Sequence, residues 1–279
     1  MKKLLISLLA ASLLASCTQI KTTSAGAVGV QRKQYALSFI SSKQIEGMAA
    51  KSYVSTLNEA EKKSQLNPDP RQTERVRGIA NRLIAQTVVF RPDALNWKWE
   101  VNVQQSKDIN AYCMPGGKIM VYTGLIDSLN VSDDELAAVM GHEMSHALRE
   151  HGREQQSEQI MTKVGLVGLA LALASNKNTQ NGAGTVMQGA ALGSAVFISL
   201  PHSRIDEQEA DEIGLELAAR AGYNPEAAIT LWEKMSKSGG KKPPEYLSTH
   251  PTDAKRIADM RRLLPVVTPL YEATKTKPS

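Results

Sequence analysis

His142, Glu143 and His146 stand in a His-Glu-x-x-His pattern. On a helix, residues four apart lie on one face, one turn from each other. Two imidazoles at that spacing can therefore point at a single metal ion. Glu143 follows the first histidine and projects beside the same spot, where a carboxylate could accept a proton from metal-activated water. The chemistry implied is metal-assisted hydrolysis. The competing reading is a buried helix whose histidines only hydrogen-bond.

A catalytic zinc usually takes three protein ligands and keeps one position open. The longer motif with a third histidine would need Gly at 149 and His at 152, but Arg149 and Gly152 stand there. His151 lies five residues past His146, about 140° round a helix, and reads as a supporting or surface histidine rather than a ligand. The other solution is a carboxylate from a separate helix. Glu207 and Asp211 are one turn apart, so Glu207 could ligate while Asp211 accepts a hydrogen bond from a ligand histidine. Spacing alone does not choose Glu207 over Glu209 or Glu212.

These residues need elements to hold them. Ser132-Asp133-Asp134-Glu135 reads as a capping box with acids at the positive end of a helix dipole. Leu136, Val139, Met140 and Ala147 recur at 3, 4 and 7 spacings, which predicts a helix from about Ser132 past Glu150 with one buried face. Ser203 opens a second helix that reaches about Arg220, where Gly222 can end it. Asn224-Pro225 caps another, and a last helix runs from Ala254 to Leu264. Upstream, helices are expected over Ser41–Lys63 and, after Asp69-Pro70, to about Val88. The alternating Asn96–Gln104 predicts a strand, and Ala111–Tyr122 a hairpin turned at Pro115-Gly116-Gly117. The glycines there either form an ordinary turn or let an extended peptide approach a sheet edge.

Residues 165–174 and 184–200 are apolar, each shorter than the roughly 20 residues a spanning helix needs. They are expected to pack as a helical hairpin; a mobile lid is the other option.

The start of the chain suggests its destination. Lys2 and Lys3 precede an apolar run from Leu4 to Leu14, the pattern of a secretory signal. Leu14-Ala15-Ser16-Cys17 resembles the bacterial lipobox, which implies cleavage before Cys17 and lipid on its sulfur. Thr18, in place of an Asp, implies sorting to the outer membrane. The expected organisation is a signal peptide at 1–16, a lipidated flexible tether at 17–40, a catalytic domain at 41–264 and a frayed tail at 265–279. Cys113 is the one other cysteine, and with Cys17 lipidated it has no disulfide partner. It reads as a small buried hydrophobe rather than a nucleophile.

The 279 residues are 42% hydrophobic, enough for a sizeable core, and the net charge of +5 is spread along the chain. No concentrated basic patch supports nucleic-acid binding.

Taken together, Asn110-Ala111, Pro115-Gly116-Gly117, Gly124-Leu125, His142-Glu143-x-x-His146, Ser203-Arg204, Glu207-x-x-Ala210-Asp211 and Thr249-His250-Pro251 resemble the membrane-associated zinc metallopeptidase family of HtpX. Its relatives include CAAX prenyl endopeptidases, mitochondrial Oma-type proteases and envelope proteins of the LoiP and BepA type. The resemblance covers roughly Ile45 to Leu264. It implies an α+β, mainly α, zincin-like (gluzincin) fold with a small sheet and the His-Glu-x-x-His helix in its core. It implies one Zn2+ per chain on His142, His146 and Glu207, with Glu143 as base. It also implies a lipid-anchored endopeptidase of the bacterial cell envelope, acting on misfolded or unassembled polypeptides. A non-proteolytic chaperone or adaptor that keeps the scaffold is the alternative. Read from sequence, the chain departs from HtpX in having no convincing spanning helices, and from BepA-type proteins in having no tetratricopeptide array after the catalytic domain. That argues against carrying over prenyl-peptide cleavage or a chaperone role. His250 could bind as a temporary fourth ligand, aid the transition state or cap its loop. Arg204 could pair with the acids around the site or polarise substrate.

Overall fold

A computed structural model describes residues 16–174, 202–238, 244–251 and 254–276. Residues 1–15 of the expected signal segment and the apolar run at 184–200 lie outside the described residues. The described residues are mainly helical with two small sheets. Strands β1 (Cys17–Ile20) and β2 (Gln34–Leu37) pair antiparallel. Helices α1 (Ser42–Lys62) and α2 (Pro70–Gln86) follow, each started by a side-chain cap, Ser41 with Gln44 in a capping box and Asp69 before Pro70. Strands β3 (Glu100–Gln104), β4 (Ala111–Met114) and β5 (Lys118–Tyr122) form a sheet ordered β3-β5-β4. β5 runs parallel to β3 and antiparallel to β4, so β4 is an edge.

Gly116 and Gly117 turn the β4–β5 hairpin at φ of 79° and 81°. A side chain on Gly117 would collide with the Trp99 ring. The turn itself therefore requires these glycines, and the ordinary-turn reading accounts for them.

The helical half contains α3 (Thr123–Leu129), α4 (Asp133–Leu148), α5 (His151–Ala174), α6 (Arg204–Arg220), α7 (Ala227–Ser238), α8 (Glu245–Thr249) and α9 (Ala254–Lys275). α4 is the central element. Ser132 and Glu135 cap it reciprocally, as predicted, but every residue from Glu135 to Leu148 is buried, not one face. Ala137, Ala138, Gly141, Ser145 and Ala147 are small enough to admit neighbours on the remaining faces. The closest is α6. A Cβ on Gly214 would lie 2.8 Å from the backbone nitrogen of His142, and one on Gly141 would lie 3.0 Å from the Gly214 carbonyl. That approach brings the start of α6 alongside the two histidines.

Several expectations are corrected. α4 ends at Leu148 rather than passing Glu150, which takes a left-handed φ of 55°. Arg91 stabilises the break, donating to the Leu148 carbonyl at 3.1 Å and pairing with Glu150 at 2.8 Å. Residues 17–40 are not a flexible tether. Ala36 and Leu37 are fully buried, and Leu37, Ile40 and Ile45 form a small core with Ile160 and Met161. The predicted tail from Pro265 is the second half of α9, which accommodates Pro265 and Pro269. Burial of Val267 and packing of Leu263, Leu264, Leu270 and Tyr271 on the main core hold it there. Among the described residues no helix is long and apolar enough to cross a membrane.

Candidate functional site

The buried face of α4 and the first turns of α6 meet at one point. The Nε2 atoms of His142 and His146 are 3.1 Å apart, and each lies 3.4 Å from a Glu207 carboxylate oxygen. Donors that bind zinc tetrahedrally at about 2.0–2.1 Å lie about 3.3–3.4 Å from one another. The three side chains therefore have the types and spacing to hold such an ion. Nδ1 of His250 joins them, 2.9 Å from Glu207 and 3.4 Å from Nε2 of His142. These four residues form a buried group able to hold a metal.

Glu207 is placed in the first turn of α6 by a capping box in which Ser203 accepts from the Asp206 amide. Asp211, one turn on, accepts a hydrogen bond from Nδ1 of His142 at 3.0 Å. That contact leaves the Nε2 lone pair facing the cluster. The guanidinium of Arg256, from α9, bonds both oxygens of Asp211 at 2.7 and 2.8 Å and pairs with Glu207 at 2.7 Å. Arg204 is exposed at the start of α6. Arg256 stacks over Trp232 at 4.4 Å, and Trp232 meets the His142 ring edge-on at 5.7 Å. Arg256 was not singled out from sequence, because only tertiary packing of the last helix brings it to the site.

His146 is supported differently. Its Nδ1 lies 2.8 Å from Nδ1 of His151, whose Nε2 lies 3.1 Å from Glu209. His151 is fully buried, not a surface residue. The left-handed step at Glu150 and the restart of the helix at His151 fold this ring back toward His146.

Glu143 projects into the same pocket. The Tyr246 hydroxyl donates to its Oε1 at 2.6 Å, and Nε2 of His250 is 3.5 Å from that oxygen. The Tyr246 ring stacks on His250 at 4.5 Å. His202 stacks on His146 at 4.0 Å. Neither Tyr246 nor His202 was singled out from sequence, where isolated aromatic and imidazole residues carry no spacing signal.

Charge and burial pull the ionisable groups in opposite directions. Burial opposes a proton on His142, but hydrogen bonds and charges from Asp211 and Glu207 lift its pKa to about 9. Burial, joined by the neighbouring His202, holds His146 well below the usual histidine value. Burial and the charges of His250 and His151 lower His202 to about 3. Burial would raise Glu207, but the three surrounding histidines hold it well below the ordinary carboxylate range. Burial also pushes the Cys113 thiol up. It is a poor nucleophile, in agreement with the sequence reading.

A cleft reaches this cluster. Its walls include Glu143, His146, His202 and His250 on one side and Ala111 to Pro115 of the β4 edge on the other. It encloses only about 50 Å³, far less than the roughly 300–1,000 Å³ of ordinary ligand pockets. Pro115 lines the cleft; Gly116 and Gly117 do not.

Comparison with known proteins agrees with this geometry. Residues 70–264 match Peptidase family M48. The chain is 42% identical over 159 residues to the mitochondrial metalloendopeptidase OMA1 of Arabidopsis thaliana, covering 57% of this chain and 30% of that one. It is 33% identical over 183 residues to the Saccharomyces cerevisiae counterpart, covering 63% and 50%. It is 30% identical over 200 residues to the beta-barrel assembly-enhancing protease of Yersinia pestis, covering 69% and 39%. The chain thus spans between 30% and 50% of the length of these relatives. With two histidines, a glutamate and the adjacent Glu143 carboxylate gathered inside the matched segment, the chain belongs to peptidase family M48.

Proposed function

We propose that the chain is a zinc-dependent endopeptidase whose metal is held by His142, His146 and Glu207. The observation that carries this reading is the ligand-like spacing of those three side chains beside Glu143. Bound there, zinc supplies a Lewis acid that polarises the scissile carbonyl and acidifies water toward pKa ≈ 7. Glu143 takes the proton of the attacking water and returns it to the leaving amine. Tyr246, donating at 2.6 Å, fixes the orientation of that carboxylate. The β4 edge can take an extended substrate by strand addition, with Pro115 at the end of the cleft.

His250 supports a resting, latent state of the same enzyme. Its Nδ1 occupies the place of a fourth ligand, and its ring helps fill the narrow cleft. Substrate entry then requires the Thr249-His250-Pro251 loop to withdraw. Asp211 orients His142 in both states.

The lipobox-like Leu14-Ala15-Ser16-Cys17 supports a lipid anchor on Cys17 and a place at the periplasmic face of the outer membrane. The substrates would be misfolded or unassembled envelope polypeptides. The alternative, a chaperone or adaptor on the same scaffold, has no need of a buried carboxylate placed beside the metal ligands.

The test is casein cleavage and bound zinc measured together on the full chain in detergent, with Glu143→Gln alongside. Near one zinc in both, with cleavage lowered about 10²–10⁴-fold in the variant, is the expected result. Zinc without cleavage in either protein points to the adaptor. Absence of zinc from both removes the reading.

A further inference from the structure

His151, Asp206 and Glu209 form a second buried group whose ligand-type atoms lie close enough together for a cation. The cation present is the protein's own. Nη1 and Nη2 of Arg32 grip Glu154 at 2.9 and 2.8 Å, and Nη2 also reaches Asp206 at 3.0 Å and Glu209 at 2.9 Å. Arg32 comes from the segment joining β1 to β2, outside the 70–264 stretch that matches the family.

The surroundings fix that segment on α4 and α5. Arg149, at the C-terminal end of α4, donates to both Glu209 oxygens at 2.7 and 3.2 Å. It also reaches the Thr23 hydroxyl at 3.2 Å and the Arg32 carbonyl at 3.3 Å. Gln34 donates to the Arg149 carbonyl at 2.7 Å and to Glu154 at 2.9 Å. Glu209 is thus fastened by two guanidinium groups and accepts from His151 on the face that remains.

The chain of contacts has one consistent direction. Glu209 takes the Nε2 proton of His151, which makes His151 Nδ1 an acceptor. That acceptor takes the Nδ1 proton of His146, 2.8 Å away, and leaves Nε2 of His146 bare toward the metal cluster. A histidine ligand needs that tautomer and a fixed ring.

We infer that Arg32 is a positioning residue for the metal site, acting through Glu209 and His151 to orient His146, so that the segment before the catalytic helices is part of the metal centre. This rests on the zinc reading above. If Cys17 carries lipid, the anchor and this arginine lie on one short segment, 15 residues apart in sequence.

The test is zinc affinity, by competition with a chelator, on the full chain in detergent. Wild type is compared with Arg32→Ala, Arg32→Lys and Glu209→Gln. Loss of an outer-shell partner costs about 10–100-fold in metal affinity. We expect that loss in Arg32→Ala and Glu209→Gln, and recovery of most of it in Arg32→Lys. The cobalt-substituted Arg32→Ala protein should also change its visible absorption, because the His146 ring is released; a purely structural loss would leave that spectrum alone. Affinity within about threefold of wild type in a folded Arg32→Ala protein overturns the inference. Where that variant does not fold, unaltered affinity in Glu209→Gln overturns it. A wild-type chain that binds no zinc removes the metal reading and this one together, whereas zinc in wild type with unaltered variants removes this one alone.

Discussion

The two histidines of the central helix are held by arms of different construction. His142 has a short arm: Asp211 one step away, then Arg256, both nearly inaccessible. His146 has a long one: His151, then Glu209, then Arg149 and Arg32, the last with 27% of its side chain exposed. The short arm is made by helices that pack on each other within the main core. The long arm is closed from outside that core, by the β1–β2 segment. The difference teaches that one metal site can draw its rigidity from packing on one side and from a surface clasp on the other.

The sharpest way to break the comparison is on the short arm. Arg256→Ala leaves Asp211 and Glu207 buried without their cation, and breaking a buried pair in this way costs about 3–5 kcal/mol. Denaturant melts of the metal-free protein should show that loss, with zinc binding weakened as well. Arg32→Ala should cost less stability, about 1.5–3 kcal/mol for charged hydrogen bonds that are partly open to solvent. Equal losses from the two variants would dissolve the distinction between the arms.

His250 sits between the arms and belongs to neither. Removing it in His250→Ala should leave zinc bound and raise basal casein cleavage about tenfold, which corresponds to 1.4 kcal/mol. A fall in rate would instead place His250 at the transition state, and an unchanged rate would discard both roles.

The last expected effect is a pH dependence confined to the short arm. His142 is lifted to about 9 in the metal-free fold by Asp211 and Glu207, despite its burial, above an ordinary histidine value near 6.5. A raised folded-state pKa stabilises fully below the unfolded value and is lost as pH rises through the folded one. Metal-free stability should therefore decline between about pH 6.5 and 9, and Asp211→Asn should flatten that decline. Zinc must displace the same proton, so its affinity should rise over that interval. A melt series with no slope there would contradict the assignment.

The parts of this arrangement that follow local rules were legible in the sequence. The Ser132–Glu135 box, the His142/His146 spacing, the β4–β5 hairpin and the Glu207/Asp211 turn each depend on neighbours within a few residues. Choosing Glu207 among the acids of α6 took the family resemblance, and the structure adds the reason in space: Gly214 lets that helix lie against Gly141. Arg256, Tyr246 and Arg32 were missed because each acts across a long sequence separation, where no periodicity reports it. The break at Glu150 was missed because a non-glycine residue in left-handed backbone gives no compositional warning. The ordered β1–β2 segment was missed because Ser, Thr, Gly and Ala also describe a linker, and only Ala36, Leu37 and Arg32 finding partners elsewhere distinguishes the two.

The bond from Arg32 spans 177 positions to Glu209, and Arg256 closes the other arm still later in the chain. Long-range pairings of this kind form only after the intervening chain has been made and brought together. A polypeptide emerging N-terminus first therefore carries His142, Glu143 and His146 for about sixty residues before Glu209 can complete the long arm, and for more than a hundred before Arg256 can complete the short one. The order of synthesis thus delays assembly of the proposed metal centre, a safeguard in time rather than in shape.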